Sequence, residues 1–169
     1  QSDIYLHDAT SINDLLAFAV GARVEIKSTK MVMIDAKLAA RTGIEPGDEW
    51  LVVSGLGYRE GHELPFSWTE YYIHRDYAAI GRLMQRYTGP VFPLIEDMFA
   101  VRIAEVHQRI DAVLVPTMLA RDLKVNAGTA ALNVRQSFHL ADGKTVEVSI
   151  NTHPSSRFHH SMTMLRAKA

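Results

Sequence analysis

From Arg23 to Ile34 the apolar residues Val24, Ile26, Met31 and Met33 are set among Lys and Thr, the alternation of a strand with a polar middle. Before it, Thr10 or Ser11 can cap a short helix to about Val20, with Ile12, Leu15, Leu16 and Ala19 on one face, closed by Gly21. After it, Asp35 caps a helix over Ala36 to Arg41 that Gly43 ends, and Glu45, Pro46, Gly47 and Asp48 make a turn. Glu49 to Tyr58 and Phe66 to Ile73 read as strands around a loop, and Asp76 to Tyr87 as a helix burying Ile80, Leu83 and Met84. Thr88-Gly89-Pro90 breaks the pattern. Phe99 to Val115 fits a strand or a helix by period and is read as a long strand. Next come a helix over Pro116 to Leu123 and a strand over Ala131 to His139. The turn Ala141 to Lys144 leads to a strand over Thr145 to His153, and a last apolar strand follows Arg157-Phe158. Strands joined by short turns predict an α+β fold with an antiparallel sheet flanked by helices.

Composition narrows this picture. At 169 residues and 47% hydrophobic, the chain suits one domain with one core. A formal net charge of -1 gives no general field for a polyanion. The absence of cysteine excludes disulfides and thiolate-held metals, and fits a reducing, cytoplasmic setting. No apolar run is long enough for a membrane helix. The chain opens on Gln1 rather than Met, so a fragment or processed product is expected.

Few residues point to chemistry. Gly55-Leu56-Gly57 is no phosphate loop, since Glu60 stands where a third glycine belongs and no helix starts there; it marks close approach by a ligand or a neighbouring side chain. The adjacent pair His159-His160 would point to opposite faces of a strand, and the other histidines are scattered, so no metal site is expected. No nucleophile elbow is present. Glu147 shares one strand face with Ser149, Asn151 and His153, a polar row that is either a solvated surface or the lining of a cleft. Arg135 on the partner strand could lie beside that row or bridge to a carboxylate. Of the aromatic group Phe66, Trp68, Tyr71 and Tyr72, some members pack and others can line a pocket.

The order and spacing of several short motifs resemble the UTRA domain, the effector-binding half of HutC-type GntR-family transcription regulators. The resemblance runs through Ala36, Leu38, Ala40, Gly43, Gly47 and Trp50, then Ile110, Ala112, Ala120 and Leu123, then Arg135, Asp142-Gly143 and Glu147, and closes on Arg157-Phe158. It covers nearly the whole chain, with residues 1–7 as residual linker and 8–169 as the domain. It implies a chorismate-lyase-like fold, a small-molecule cleft, a homodimer, and a winged helix-turn-helix domain upstream that alone touches operator DNA. No cofactor is implied. By the same resemblance Glu147 anchors the effector, with Arg135, His153, Arg157, Ser54 and Thr69 as further contacts and Gly55 and Gly57 as a floor. Phosphosugar-sensing members carry two arginines where Gly55 and Gly57 stand here, which argues for a larger or less anionic ligand. A lyase on the same fold is the alternative; Arg23, Arg102, Arg135 and Arg157 are the cations that could meet a dicarboxylate substrate.

Overall fold

The computed structural model describes Ile12, residues 22–161 and residues 163–167. The expected first helix lies outside these residues apart from Ile12. Strand β1 spans Ala22–Met33, with Val24 and Ile26 turned inward and Arg23 and Glu25 outward. Helix α1, Ala36–Thr42, starts where the Asp35 carboxylate accepts from the Leu38 N–H at 2.8 Å, and stops at Gly43 in the left-handed conformation. The hairpin strands β2, Glu49–Arg59, and β3, Ser67–His74, follow.

The helix expected over residues 76–87 is split. A 3-10 turn over Arg75–Ile80 leads into a single α-turn, α2, over Gly81–Met84. Gly81 has the weakest propensity in the stretch and sits against Leu51 of the sheet. A helix that the pattern did not predict, α3, covers Phe92–Phe99, with Pro93 in its first turn and Phe92 and Ile95 buried. Ala100 ends it with φ 53°, so strand β4 begins later than expected and runs Ile103–Leu114. Helix α4, Thr117–Leu123, and strands β5, Ala130–Leu140, and β6, Thr145–Pro154, complete the fold, followed by a 3-10 turn over Ser155–Arg157. The expected last strand is absent among the described residues after Arg157. Met164 and Leu165 there are exposed, with no neighbouring strand to bury their apolar side chains.

The six strands form one sheet in the order β1-β2-β3-β6-β5-β4, antiparallel at every pairing. Period-two alternation gives its two faces different covers. On one face Leu51, Val53 and Ile73 pack with Ile80, Met84, Phe92 and Ile95 from the segment between β3 and β4. On the other, Trp50, Val52, Tyr72, Val148 and Ile150 pack beneath α1, while Leu56 and Ala131 pack beneath α4. Among the described residues no helix is long and apolar enough to cross a membrane.

Candidate functional site

β6 occupies the middle of the sheet between β3 and β5, so the row Glu147, Ser149, Asn151 and His153 lands under a helical cover rather than in solvent. These residues line one cavity of about 150 Å³ together with Thr69 and Tyr71 from β3 and Gln136 and Phe138 from β5. The roof comes from Met84, Tyr87 and the segment Gly89 to Phe92. The two open readings of the polar row thus resolve to a cleft lining.

Each polar group has a defined state. Glu147 is 1% exposed, and its Oε1 has no hydrogen-bond partner in the protein. Burial pushes its carboxyl up to about 8, so the free domain holds it protonated at neutral pH. The neighbouring Tyr71 phenol is raised by burial and by the proximity of Glu147. His153 is pushed down to about 4, mainly by burial and slightly by Arg59. The neutral ring donates from Nδ1 to the Phe66 carbonyl at 3.1 Å, which leaves Nε2 as an acceptor. It stacks on Phe158 with ring centres 4.1 Å apart and meets Phe66 edge-on at 4.6 Å. Thr69 Oγ1 donates to Asn151 Oδ1 at 2.6 Å, and Ser67 Oγ lies 2.8 Å from Thr69 Oγ1. With the Thr69 proton committed to Asn151, Ser67 is the donor in that second contact. The chain therefore ends on the Asn151 amide nitrogen as a donor.

The other expected site residues separate by strand parity. Thr69, Gly57 and His153 reach the cavity with Glu147. Gly57 leaves room for the Ser67 hydroxyl, which would sit 2.5 Å from an added Cβ. Gly55 is not in the cavity wall; a Cβ there would collide with the Glu25 carbonyl, at the bulge where the β1–β2 register shifts. That close approach is by a neighbouring strand. Ser54 pairs with Glu70 on the opposite face. Arg135 is opposite Ile150, also on the far face, and its Nη1 donates to the Arg41 carbonyl at the end of α1. Arg157 donates to the carbonyls of Pro65, Leu123 and Lys124 at 2.8, 2.6 and 3.0 Å, and holds loops together outside the cavity. The aromatic group divides in the same way. Phe66 and Tyr71 line the cavity, while Trp68 and Tyr72 pack on the α4 and α1 side. There Glu70 takes a bidentate pair from Arg41 at 2.7 and 2.6 Å and a bond from Tyr72 at 2.9 Å.

Sequence reasoning missed Gln136, Phe138, Phe158 and the roof residues as cavity wall. Phe138 and Gln136 stand opposite Glu147 and Ser149 through a bulge between Phe138 and His139, which counting back from the turn does not reveal. Nothing local marks Tyr87 or Phe92 as roof residues. Among the described residues no group of three or more His, Asp or Glu side chains is placed to hold a metal ion.

An antiparallel sheet with helices on both faces and a cavity over its central strands defines a chorismate-lyase-like α+β domain. The sequence model of the UTRA domain matches residues 19–159, and the chain belongs to that family. No curated protein matches it by sequence. Among solved structures, the effector domain of PhnF from Mycobacterium smegmatis superposes with a TM-score of 0.74 at 14% identity, over 91% of this chain and 93% of that one. The C-terminal domain of the histidine utilization repressor from Pseudomonas syringae pv. tomato str. DC3000 gives 0.67 at 13%, over 86% and 99%. YydK from Bacillus subtilis subsp. subtilis str. 168 gives 0.68 at 14%, covering 85% of this chain, which spans only 63% of YydK. At these identities the likeness is one of fold.

Proposed function

We propose that this domain senses a small molecule on behalf of a GntR-family transcription regulator of the HutC type, in a cytoplasmic homodimer. Operator DNA is bound by a winged helix-turn-helix domain elsewhere in the full protein. Family membership and the fold shared with the PhnF effector domain support the regulator class. The observation that carries the sensing role is Glu147, a fully buried carboxyl with an unpartnered oxygen in the wall of a cavity. Buried polar atoms are almost always satisfied, and a ligand is the partner such a site is shaped for. Thr69, Asn151 and His153 supply the remaining polar contacts, and Gly57 keeps the wall thin. In energetic terms the effector must favour one arrangement of the two protomers over another by its differential affinity.

The arginines weigh against an enzyme that cleaves a dicarboxylate. Arg135 and Arg157 are engaged with backbone carbonyls away from the cavity, and Arg23 reaches only its rim, over the Tyr58 ring at 4.5 Å. The test is a thermal-shift screen against sugar phosphates, amino-acid catabolites, aromatic acids and chorismate, with each mixture analysed for turnover. A concentration-dependent rise in midpoint from an unchanged compound is expected. Consumption of the compound would establish an enzyme instead. No shift across the panel, with full-length protein bound to its operator equally well in every mixture, would refute the sensing role.

A further inference from the structure

The cavity wall restricts the charge of what it can hold. Glu147 is its one acidic residue, and Arg23, exposed on the edge strand β1, is its one lysine or arginine among the described lining. Arg23 is already placed over the Tyr58 ring. A phosphate or carboxylate would therefore meet a buried carboxyl with no guanidinium pair to clamp it. The rest of the wall near Glu147 is aromatic. Phe138 stands opposite it on β5 and stacks on Phe92 at 5.2 Å, while Tyr71 and Tyr87 add further rings. Ring faces are negative in their quadrupole and attract cations. His153 Nε2 adds an acceptor, and the Asn151 amide nitrogen and the Ser149 hydroxyl complete the polar wall. A carboxyl among aromatic rings, with no lysine or guanidinium beside it, is the environment of an ammonium ion. The volume also bounds the size, because about 150 Å³ has room for about one benzene ring.

We propose that the molecule sensed here is a compact amine, about one ring in size, bound as its ammonium ion to Glu147. This rests on the sensing role proposed above and specifies its ligand class. The ammonium N–H donates to the Glu147 oxygen that lacks a partner, and the apolar body lies against Phe92, Phe138 and Val134. Because the free domain keeps Glu147 protonated, binding expels one proton from that carboxyl to solvent. The titratable or charged groups around it are Tyr71 on β3, Tyr87 in the roof, His153 on β6, and Arg23 and Tyr58 at the rim. Burial keeps both Tyr71 and Tyr87 neutral, and His153 is neutral above about 4. Glu147 is thus the group that responds between about pH 5 and pH 8, and amine affinity climbs about tenfold per pH unit up to about pH 8.

The experiment uses three matched series on this chain. Benzylamine, phenethylamine and 3-phenylpropylamine are compared with the corresponding alcohols and carboxylic acids, by thermal shift and titration calorimetry at about pH 6 and about pH 8. The expected result is stabilisation by at least one amine over its alcohol and acid, stronger at the higher pH. Calorimetry in two buffers of different ionisation heat should report about one proton released at about pH 6 and about half a proton at about pH 8. Glu147→Gln should lower amine affinity roughly 10- to 100-fold and remove the pH dependence. The proton count is read on the unmodified chain, so the test stands even if that variant folds poorly. Equal binding of acids or alcohols, amine binding without proton release, or no binding by any amine overturns the ammonium assignment. The sensing role survives the first of these when Phe138→Trp, which fills the cavity, abolishes the binding. It falls only if the broad metabolite screen is silent as well.

Discussion

Glu147 is a carboxyl that the fold keeps protonated, and this makes a sharp prediction about stability against pH. Its ordinary value of 4.5 applies to the unfolded chain, and its folded value is about 8. A raised folded value means the folded state holds a proton that the unfolded state loses. The contribution is therefore greatest below about pH 4.5 and fades as pH rises towards about 8. Integrated between about pH 5 and pH 8, the loss is roughly 3 to 4 kcal/mol. In Glu147→Gln this titration is gone, while the side chain keeps nearly the same shape. The variant's amide brings its own buried N–H groups, which shift stability by a nearly constant amount at every pH. The informative quantity is the change in the difference between the two proteins. Urea unfolding of both at about pH 5, 6, 7 and 8 should show the variant gaining on the parent by those 3 to 4 kcal/mol. In melting temperature this is roughly 10 °C for a domain of this size. All other titrating groups are common to both proteins and cancel. Parallel stability profiles would refute the claim that burial suppresses ionisation of Glu147, and the proton release argued above would fall with it.

His153 has the opposite sign. Its folded value of about 4 lies below the ordinary 6.5, so stability is full above about pH 6.5 and is lost as pH falls towards 4; His153→Phe should flatten that acid limb of the unfolding profile. Gly55→Ala should destabilise by about 3 kcal/mol in urea unfolding, because the added methyl meets the fixed Glu25 carbonyl, whereas Gly57→Ala should lose clearly less because the Ser67 hydroxyl can rotate away. Equal losses would show that β1 does not constrain Gly55. Arg157→Lys should cost about 2 kcal/mol by losing the fork that joins Pro65, Leu123 and Lys124, with ligand affinity unchanged in calorimetry.

The sheet was legible because its signals are local. Asp35 and Gly43 bracket α1 by capping chemistry, and β5 and β6 are joined by the Ala141 to Lys144 turn. Period two placed Glu147, Ser149, Asn151 and His153 on one face, and the structure places all four in one cavity wall. Arg135 lands on the other face because a bulge between Phe138 and His139 sets it opposite Ile150; an unbroken count from the turn puts it opposite Ser149, beside the polar row. Ser54 fails by parity, since it pairs with Glu70 on the far face. Gly55 has the parity of Gly57 and was misplaced because the bulge in β1 and the packing of Glu25 against it are matters of strand pairing. Helix α3 carried a readable mark, Pro93 in the first turn with Phe92 and Ile95 three apart, but the preceding Gly89-Pro90 obscured where it starts. The protonation of Glu147 could not be read at all. It depends on how completely the Met84 to Phe92 segment covers the sheet, and that burial is a tertiary outcome.

The strand order divides the sheet into two halves of equal size. β1, β2 and β3 run as one meander and β4, β5 and β6 as another, each built from neighbours in sequence, and the two pair as strands only along β3 and β6. That seam joins residues far apart in the chain, Thr69 and Asn151 being 82 positions distant. Closing it carries the largest loop entropy of any pairing in the fold, which predicts that the seam pairs late when the chain folds. The cavity lies across this seam, with Thr69 and Tyr71 from one half and Glu147, Ser149 and Asn151 from the other. A bound molecule touches both meanders at once and resists their separation directly. Its arrival tightens the strand junction that keeps the two halves of the sheet in register.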